Sequence, residues 1–279
     1  MALEARLNAI CDARPFTTSF HVRDLRGGAV IGRGAEVVVP SASTRKISIM
    51  MAAFRAAHAG RLDLAERVAT TAGMMRGVAS GTFQLMLPGL VVPLRDAVLQ
   101  MIVLSDNVCT NIVTSRLSLA ELNEFCAGIG MTGTTHRFAV PPPDMPAGHR
   151  LDEVTTTTPA DQGLLLHRIL NGADDADAAT VLGSTPAFCA MALDFLAEQK
   201  FRSMIPALLP ADARVAHKTG TGRRGRMDAG IIYRDGRPLC VIAAYTDGVP
   251  ATMPDGLPGH AAAFATIGQL ARACWDGIA

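Results

Sequence analysis

The sequence predicts a protein of the α/β (α+β) class, with an antiparallel sheet flanked by helices and an additional all-helical lobe. Two observations predict this class. β-Prone segments lie near both ends of the chain, whereas the middle follows the 3.6-residue periodicity of helices, and a further helix closes the chain. We therefore expect an α/β lobe from residues 1–40 and 205–279, and a helical lobe from residues 41–204. The two lobes would form a single unit with a cleft between them.

The N-terminal part begins with a short helix, because Leu3, Leu7 and Ile10 share one helical face. Two β-prone runs separated by a Gly-Gly turn then predict a hairpin, and a third short strand follows. Next comes a helix that is apolar nearly all round, which is typical of a helix buried at the centre of a molecule. The predicted ranges are 16–23 and 29–33 for the hairpin, 37–39 for the third strand, and 41–59 for the helix.

The central segment predicts helices separated by loops. Thr158 and Thr185 are each followed by proline, a combination that favours the first turn of a helix. Four prolines make one long loop irregular. The predicted elements are a turn-and-helix at 61–69, a glycine-rich loop at 73–93, helices at 94–104, 108–117 and 119–127, the proline-rich loop at 136–154, and helices from 158 to about 172 and from 185 to about 200.

The last third of the sequence returns to β-prone patterns and then ends in a helix. The expected strands are 214–221, 229–234 and 239–246, and the expected closing helix is 261–275.

The composition is that of a protein with a large core. Hydrophobic residues make up 49% and charged residues 18% of the chain, and the net charge of +1 gives no reason to expect nucleic acid as a partner. No apolar run approaches the ~20 residues that a membrane span needs, so no membrane association is expected. Six scattered cysteines show no metal-binding spacing and are expected to be reduced and mostly buried.

Charges near the N-terminus, at Glu4, Arg6 and Asp12, interrupt the apolar stretch that a signal peptide requires. As written, the sequence therefore predicts a cytoplasmic protein. A periplasmic or secreted location is expected only if a leader has been removed. The oligomeric state is left open.

Lysine is rare in this chain, and one of its lysines lies one helical turn after a serine. Only Lys46, Lys200 and Lys218 occur among 26 Lys plus Arg residues. Ser43 and Lys46 lie three residues apart, on one helical face and at the start of a predicted helix, where free N–H groups favour negative charge. A buried lysine, unlike an arginine, loses its proton readily. The pair is therefore a candidate nucleophile and base.

Three short motifs follow one another along the chain: Ser43-x-x-Lys46, Ser105-Asp106-Asn107 and Lys218-Thr219-Gly220. Their order and spacing resemble those of the serine β-lactamase and penicillin-binding-protein superfamily, and its class A β-lactamase branch in particular. The resemblance extends over essentially the whole chain. It implies the β-lactamase/transpeptidase-like fold and an acyl-enzyme mechanism, and neither a metal nor an organic cofactor.

The resemblance also implies roles for eight residues. Ser43 would attack the acyl carbonyl, Lys46 would accept its proton, and Ser105 with Lys218 would deliver the proton to the leaving group. The others would hold the substrate: Asn107 at its amide, Thr219 at a carboxylate, and Thr221 through its backbone N–H at the oxyanion. Arg226, or its neighbours Arg223 and Arg224, would bind an acidic group of the substrate or would simply form a solvated hairpin turn.

The proline-rich loop departs from the family pattern. Class A β-lactamases carry a glutamate there, with an asparagine four residues on, and these position the water for deacylation. Prolines stand near that place here and no Glu-x-x-x-Asn occurs. The usual bracing aspartate is also not at its place. Five residues remain as substitutes for the missing base, or as plain solvated loop residues: Asp144, Asp152, Glu153, His136 and His149.

Two more positions have alternative interpretations. His217 precedes Lys218, but alternation along a strand places it on the opposite face, away from the catalytic groups. Phe83 is either an aromatic wall of the cleft or part of the core.

The leading functional hypothesis is a serine hydrolase of the class A β-lactamase-like type. It would form an acyl-enzyme on Ser43 with a small ester, amide or peptide, and would deacylate β-lactams slowly. One alternative is a functional β-lactamase with a non-standard deacylation base. The other is a non-catalytic sensor that binds β-lactams or peptides.

Overall fold

A five-stranded antiparallel sheet forms the centre of the fold in the computed structural model, which describes residues 2–140, 142, 145–146 and 148–279. The strands lie in the order β2-β1-β9-β8-β7, so the two ends of the chain pair directly through β1 and β9. Their ranges are β1 Thr17–Asp24, β2 Val30–Arg33, β7 Val215–Thr221, β8 Arg226–Arg234 and β9 Arg237–Asp247.

Two small antiparallel pairs lie outside this sheet, β3 with β6 and β4 with β5. Their ranges are β3 Val39–Pro40, β6 Thr156–Thr157, β4 Arg67–Ala69 and β5 Val91–Pro93. The β3–β6 pair joins the residues just before Ser43 to the end of the proline-rich loop.

The described part of the chain contains ten α-helices, and most of them lie between the two halves of the sheet in sequence. They are α1 Leu3–Asp12, α2 Lys46–His58, α3 Ala72–Met75, α4 Leu94–Val103, α5 Asn107–Thr114, α6 Leu119–Gly128, α7 Pro159–Asp174, α8 Ala176–Val181, α9 Pro186–Ala197 and α10 Gly259–Gly277.

The sheet separates two hydrophobic clusters. On one face α1 and α10 pack against the sheet through residues such as Leu7, Ile242 and Leu270. On the other face the helices from α2 to α9 form the larger cluster, to which the sheet contributes Ala229 and Ile231. Alternate residues of each central strand therefore serve different cores, as expected for a sheet that is covered on both sides.

Helix α2 is the most completely buried helix, with every residue from Lys46 to Phe54 buried. This confirms the central helix that its apolar sequence predicts. The helix ends where Gly60 adopts a positive φ of 70°. Because α2 contacts α4, α5, α6 and α9, it holds its first residue, Lys46, on a rigid element.

The predicted fold class is confirmed, and several local predictions need correction. Residues 61–69 contain no helix and end in the short strand β4. Only Val39 of the predicted strand 37–39 pairs, and the segment 73–93 contains α3, β5 and a 3₁₀ turn rather than plain loop. Helix α7 extends to Asp174, and α8 was not predicted. These elements are short and are formed by tertiary contacts rather than by strong local periodicity.

The division into lobes of residues 1–40 with 205–279 and residues 41–204 stays a prediction. Helix α7 belongs to the central segment of the sequence, yet it packs on strands β1 and β9. Gly163 of α7 lies so close to β1 that an added Cβ would be 2.3 Å from the ring of His21. Among the described residues, no helix combines the length and the apolarity needed to cross a membrane.

Candidate active site

Ser43 lies in a 3₁₀ turn, Ala42–Arg45, that leads directly into α2. Two buried hydrogen bonds fix this turn. Thr44 Oγ1 is 2.7 Å from the hydroxyl of Tyr245 on β9, and Ser41 Oγ donates to the carbonyl of Thr155 at 3.0 Å. Ser43 itself is half-buried and lines a cleft. The turn that carries Ser43 is therefore anchored to both the sheet and the end of the proline-rich loop.

Lys46 is buried, with 1% of its surface exposed, and its Nζ contacts the second motif. It lies 2.7 Å from the carbonyl oxygen of Ser105, 3.2 Å from Ser105 Oγ and 2.7 Å from Asn107 Oδ1. Burial, followed by the positive charges of Lys218 and Arg45, holds the pKa of Lys46 well below its usual value. A neutral Lys46 has two N–H groups, which suit the two 2.7 Å acceptors, and a lone pair that faces Ser105 Oγ.

The loop that carries Ser105 is held by Asp106, which caps α5. The Asp106 carboxylate accepts from the N–H of Cys109 at 3.0 Å and from the N–H of Phe83 at 2.8 Å, and both bonds are buried. Ser105 adopts a positive φ of 53°, a costly conformation for a non-glycine residue that is common at active sites. The buried carboxylate of Asp106 therefore positions the second motif and holds the strained backbone of Ser105.

Replacing Asp106 with alanine is expected to lower the free energy of unfolding by about 2–3 kcal/mol, because a helix cap is lost and a second buried N–H loses its acceptor. Urea or thermal unfolding followed by circular dichroism measures the change. The matched control is Asp63→Ala, which removes an exposed turn bond to the N–H of Ala65 and should cost well under about 1 kcal/mol. Equal effects of the two substitutions would contradict the structural role of Asp106.

Lys218 lies on β7, the edge strand of the sheet, and is completely buried. Its Nζ donates to the carbonyl of Thr219 at 2.9 Å. Burial lowers the pKa of Lys218 to about 7, against the opposing effect of the Asp228 carboxylate. Thr219 and the exposed Thr221 follow on the same strand and line the cleft. The structure thus gathers the three motifs around one cavity.

His217 lies on the opposite face of β7 from Lys218, as alternation predicts, with its Nδ1 3.0 Å from the buried carboxylate of Asp228. Phe83 is 6% exposed and belongs to the larger core cluster, so the core interpretation is correct.

Arg226 lies half-buried on the hairpin after the third motif. Its NH1 donates to the carbonyls of Gly222 and Gly225 at 2.8 and 2.9 Å, and its guanidinium lies over the ring of Phe264. Arg224 makes a two-fold ion pair with Asp247 and is therefore neutralised. Arg226 is consequently better placed than Arg224 to meet an acidic group in the cleft.

The cleft has a volume of about 770 Å³. It is bounded by all three motifs, by the hairpin after β7 and by the proline-rich loop. Arg45, Arg223 and Arg226 are among its lining residues, whereas no aspartate or glutamate is, within the described part of the chain. The described lining of the cavity is therefore basic rather than acidic.

Arg45 is a site residue that sequence reasoning missed. It is 2% exposed and its guanidinium donates to the carbonyls of Phe138 and Ala139 at 2.8 and 2.6 Å. Burial lowers its pKa to about 10. In the sequence, the one sign of a special role for Arg45 is its position at the start of a mostly apolar helix. Its consequence is a buried cation between the nucleophile and the proline-rich loop.

Asp161, in the first turn of α7, is a second residue that the sequence does not mark as part of the site. Its carboxylate accepts from Thr134 Oγ1 at 2.6 Å and from the N–H of Gly133 at 3.0 Å. This buried group braces the segment that enters the proline-rich loop. The sequence had suggested only that the usual bracing aspartate is displaced.

The six cysteines are free and buried, as their scattered positions predict. The described residues contain no group of three or more histidine, cysteine or acidic side chains arranged to hold a metal ion.

The fold is similar to those of solved β-lactamases and of the protein PBP-A. The β-lactamase of Sphaerobacter thermophilus DSM 20745 is 25% identical over 99% of this chain and 96% of its own, with a TM-score of 0.82. The protein PBP-A is 26% identical over 98% of this chain and 96% of its own, with a TM-score of 0.80. An ancestral class A β-lactamase, GNCA, is 23% identical with a TM-score of 0.83 over 99% and 100% of the two chains, and supports the fold alone.

A search of curated proteins found no match. The model of the β-lactamase enzyme family, Beta-lactamase2, matches residues 2–278. This match spans nearly the whole sequence, and it agrees with the architecture and with the three motifs that meet at the cleft. The chain belongs to the β-lactamase enzyme family.

Proposed function

We propose that this protein is a serine hydrolase that forms an acyl-enzyme on Ser43 with a small ester, amide or peptide, and that it deacylates β-lactams slowly. The observation that carries the proposal is the buried Lys46, whose Nζ contacts Ser105 and Asn107, two residues that line the cleft together with Ser43. A binding module has no need of a lysine with a lowered pKa, which argues against the sensor alternative.

Proton transfer during acylation follows from these contacts. Neutral Lys46 accepts the proton that leaves Ser43, either directly or through Ser105, whose Oγ is 3.2 Å from Nζ. Ser105 then delivers a proton to the leaving group, and the charge of Lys218 stabilises the anionic groups that develop nearby. Asn107, Thr219 and Arg226 hold the substrate, and the backbone N–H groups of Ser43 and Thr221 receive the oxyanion.

Slow deacylation of β-lactams is inferred from the composition of the cleft. Class A β-lactamases use a loop glutamate for the water molecule that attacks the ester, and the described lining residues include no carboxylate to take that part. In a β-lactam the leaving nitrogen also stays attached to the acyl group, whereas the leaving group of an ordinary ester diffuses away. In support, a mutant of the similar protein PBP-A has been solved as an acyl-enzyme complex with penicillin G.

The test is to mix the protein with penicillin G, a chromogenic cephalosporin and a panel of small esters, and to follow intact mass and colour. An adduct on Ser43 that forms rapidly and decays over many minutes supports the proposal, and Ser43→Ala should form none. Fast turnover of the cephalosporin would favour a working β-lactamase with a non-standard base. Neither an adduct nor ester cleavage would favour the sensor.

A further inference from the structure

The proline-rich loop contributes one wall of the cleft, and the described part of that wall contains a single imidazole, the group most often used as a general base near neutral pH. The wall consists of Pro142, Met145, His149, Val154 and Thr155. Three of these side chains are apolar, and the threonine hydroxyl is not a base in this pH range. His149 is 5% exposed, so it belongs to the inner surface of the loop.

The hydrogen bond of the ring defines the tautomer of His149. Nδ1 lies 3.2 Å from the carbonyl oxygen of Arg150. Because a carbonyl oxygen only accepts, Nδ1 carries the hydrogen and Nε2 carries the lone pair in the neutral ring. No partner for Nε2 is found among the described residues. The ring therefore has the form required of a general base.

The backbone of His149 is tied to the hairpin after β7, which also borders the cleft. Its carbonyl accepts from Arg224 NH1 at 3.2 Å, and its N–H donates to the carbonyl of Pro146 at 3.2 Å. Arg224 is itself fixed by its ion pair with Asp247. These contacts fix the backbone of His149, and its side chain lines the same cleft as Ser43 and Thr221.

The other described candidates for the missing base are occupied elsewhere. His136 is buried with its Nε2 2.9 Å from Ser48 Oγ, and burial, followed by the charge of Arg45, lowers its pKa to about 3. Asp152 is exposed and forms an ion pair with Arg150, whose backbone N–H is bound by the carboxylate of Glu153 at 2.7 Å. Asp144 lies outside the described residues and is therefore tested by substitution.

We propose that His149 is the general base of deacylation, a role that rests on the proposed acyl-enzyme at Ser43. Nε2 removes a proton from a water molecule as the water oxygen bonds to the acyl carbon. The tetrahedral intermediate then collapses, the bond between the acyl carbon and Ser43 Oγ breaks, and Oγ regains a proton from the imidazolium by way of the solvent-filled cleft. The product is the free carboxylic acid, and the neutral histidine is restored.

The experiment is a pre-steady-state comparison of His149→Gln with the natural protein, in which intact mass reports acylation and deacylation separately for penicillin G and for a small ester. Deacylation is expected to slow by about 10²-fold, the lower part of the range for general base catalysis, while acylation changes less than about twofold. Asp152→Asn is the matched control, because Asp152 is an exposed residue of the same loop that pairs with Arg150 and does not line the cleft; it should leave both rates unchanged. Asp144→Asn is compared in parallel as the remaining candidate base.

A second variant, His149→Gly, tests the role of the imidazole even if the glutamine substitution disturbs the loop. Added imidazole should accelerate deacylation of His149→Gly in proportion to the concentration of its neutral form, and should have no effect on the natural protein. Deacylation by His149→Gln within threefold of the natural rate, absence of imidazole rescue, or a larger effect of Asp144→Asn would each overturn the assignment. If the natural protein forms no adduct at all, the proposed function itself has failed.

Discussion

Replacing Lys46 with methionine is expected to slow acylation of Ser43 by about 10³–10⁴-fold, near the upper limit for a general base. Methionine preserves the length and most of the volume of the side chain but removes the nitrogen that faces Ser105 and Asn107. The rate of adduct formation with penicillin G, measured by intact mass, provides the test. Binding of substrate before acylation should change much less, because Lys46 is buried beneath the cleft.

Lys200 is the natural control for this substitution. It is exposed and forms a surface ion pair with Glu198, so Lys200→Met should leave the acylation rate unchanged and the stability within about 0.5 kcal/mol. Acylation by Lys46→Met at more than a tenth of the natural rate would show that another group removes the proton from Ser43.

Loss of the Lys218 charge is the second large effect that we expect. Lys218→Met should slow acylation by about 10²–10³-fold at pH 6, where the natural lysine is protonated. Removal of one preorganised group that stabilises charge in the transition state typically lowers the rate by this factor. The pKa of Lys218 is lowered to about 7, so the natural protein loses the same charge as the pH rises. Its acylation rate should therefore fall above about pH 7, and the difference between the two proteins should shrink by pH 9.

Lys218→Arg distinguishes titration of this residue from other causes of the alkaline decline. Arginine keeps its charge throughout this range, so the decline should move to higher pH even if the rate at the optimum is lower. An unchanged decline in the arginine variant would assign the titration to another group. Acylation rates across pH 5.5–9.5, measured in buffers of constant ionic strength, provide the comparison.

The buried charge of Lys218 is expected to accelerate acylation, but it lowers the stability of the fold. Because the folded state lowers the pKa of Lys218 below the usual 10.5, the unfolded chain binds more protons between about pH 7 and 10.5. The free energy of unfolding contributed by this group therefore rises with pH across that interval, and below about pH 7 the fold carries the full cost of a buried charge. Lys218→Met should consequently be more stable than the natural protein at pH 6, a trade of stability for activity that is common at active sites.

The fold and the main site residues were predictable because their determinants are local. The rarity of lysine, the spacing from Ser43 to Lys46 and the apolar helix behind them all appear in one short stretch. The closing strands and the threonine-capped helices α7 and α9 are also marked by strong local patterns. Short elements such as β4 and α8 have no such local pattern, because contacts with their tertiary neighbours stabilise them.

The wall of the cleft could not be predicted for the same reason. An arginine two residues after Ser43 lies on another face of the helix turn and would be expected in solvent. It is buried because the carbonyls of Phe138 and Ala139, far along the chain, accept its hydrogen bonds. Likewise, the choice among the five candidate loop residues depends on which of them turns inward, and composition carries no information about that.

The buried guanidinium of Arg45 has a consequence for any attempt to convert this protein into a fast β-lactamase. A glutamate introduced at Pro142 would enter a cleft that Arg45 also lines, so attraction to this fixed cation would compete with any water molecule that the carboxylate should hold. The effects of Pro142→Glu and Arg45→Phe on turnover are therefore expected to be non-additive.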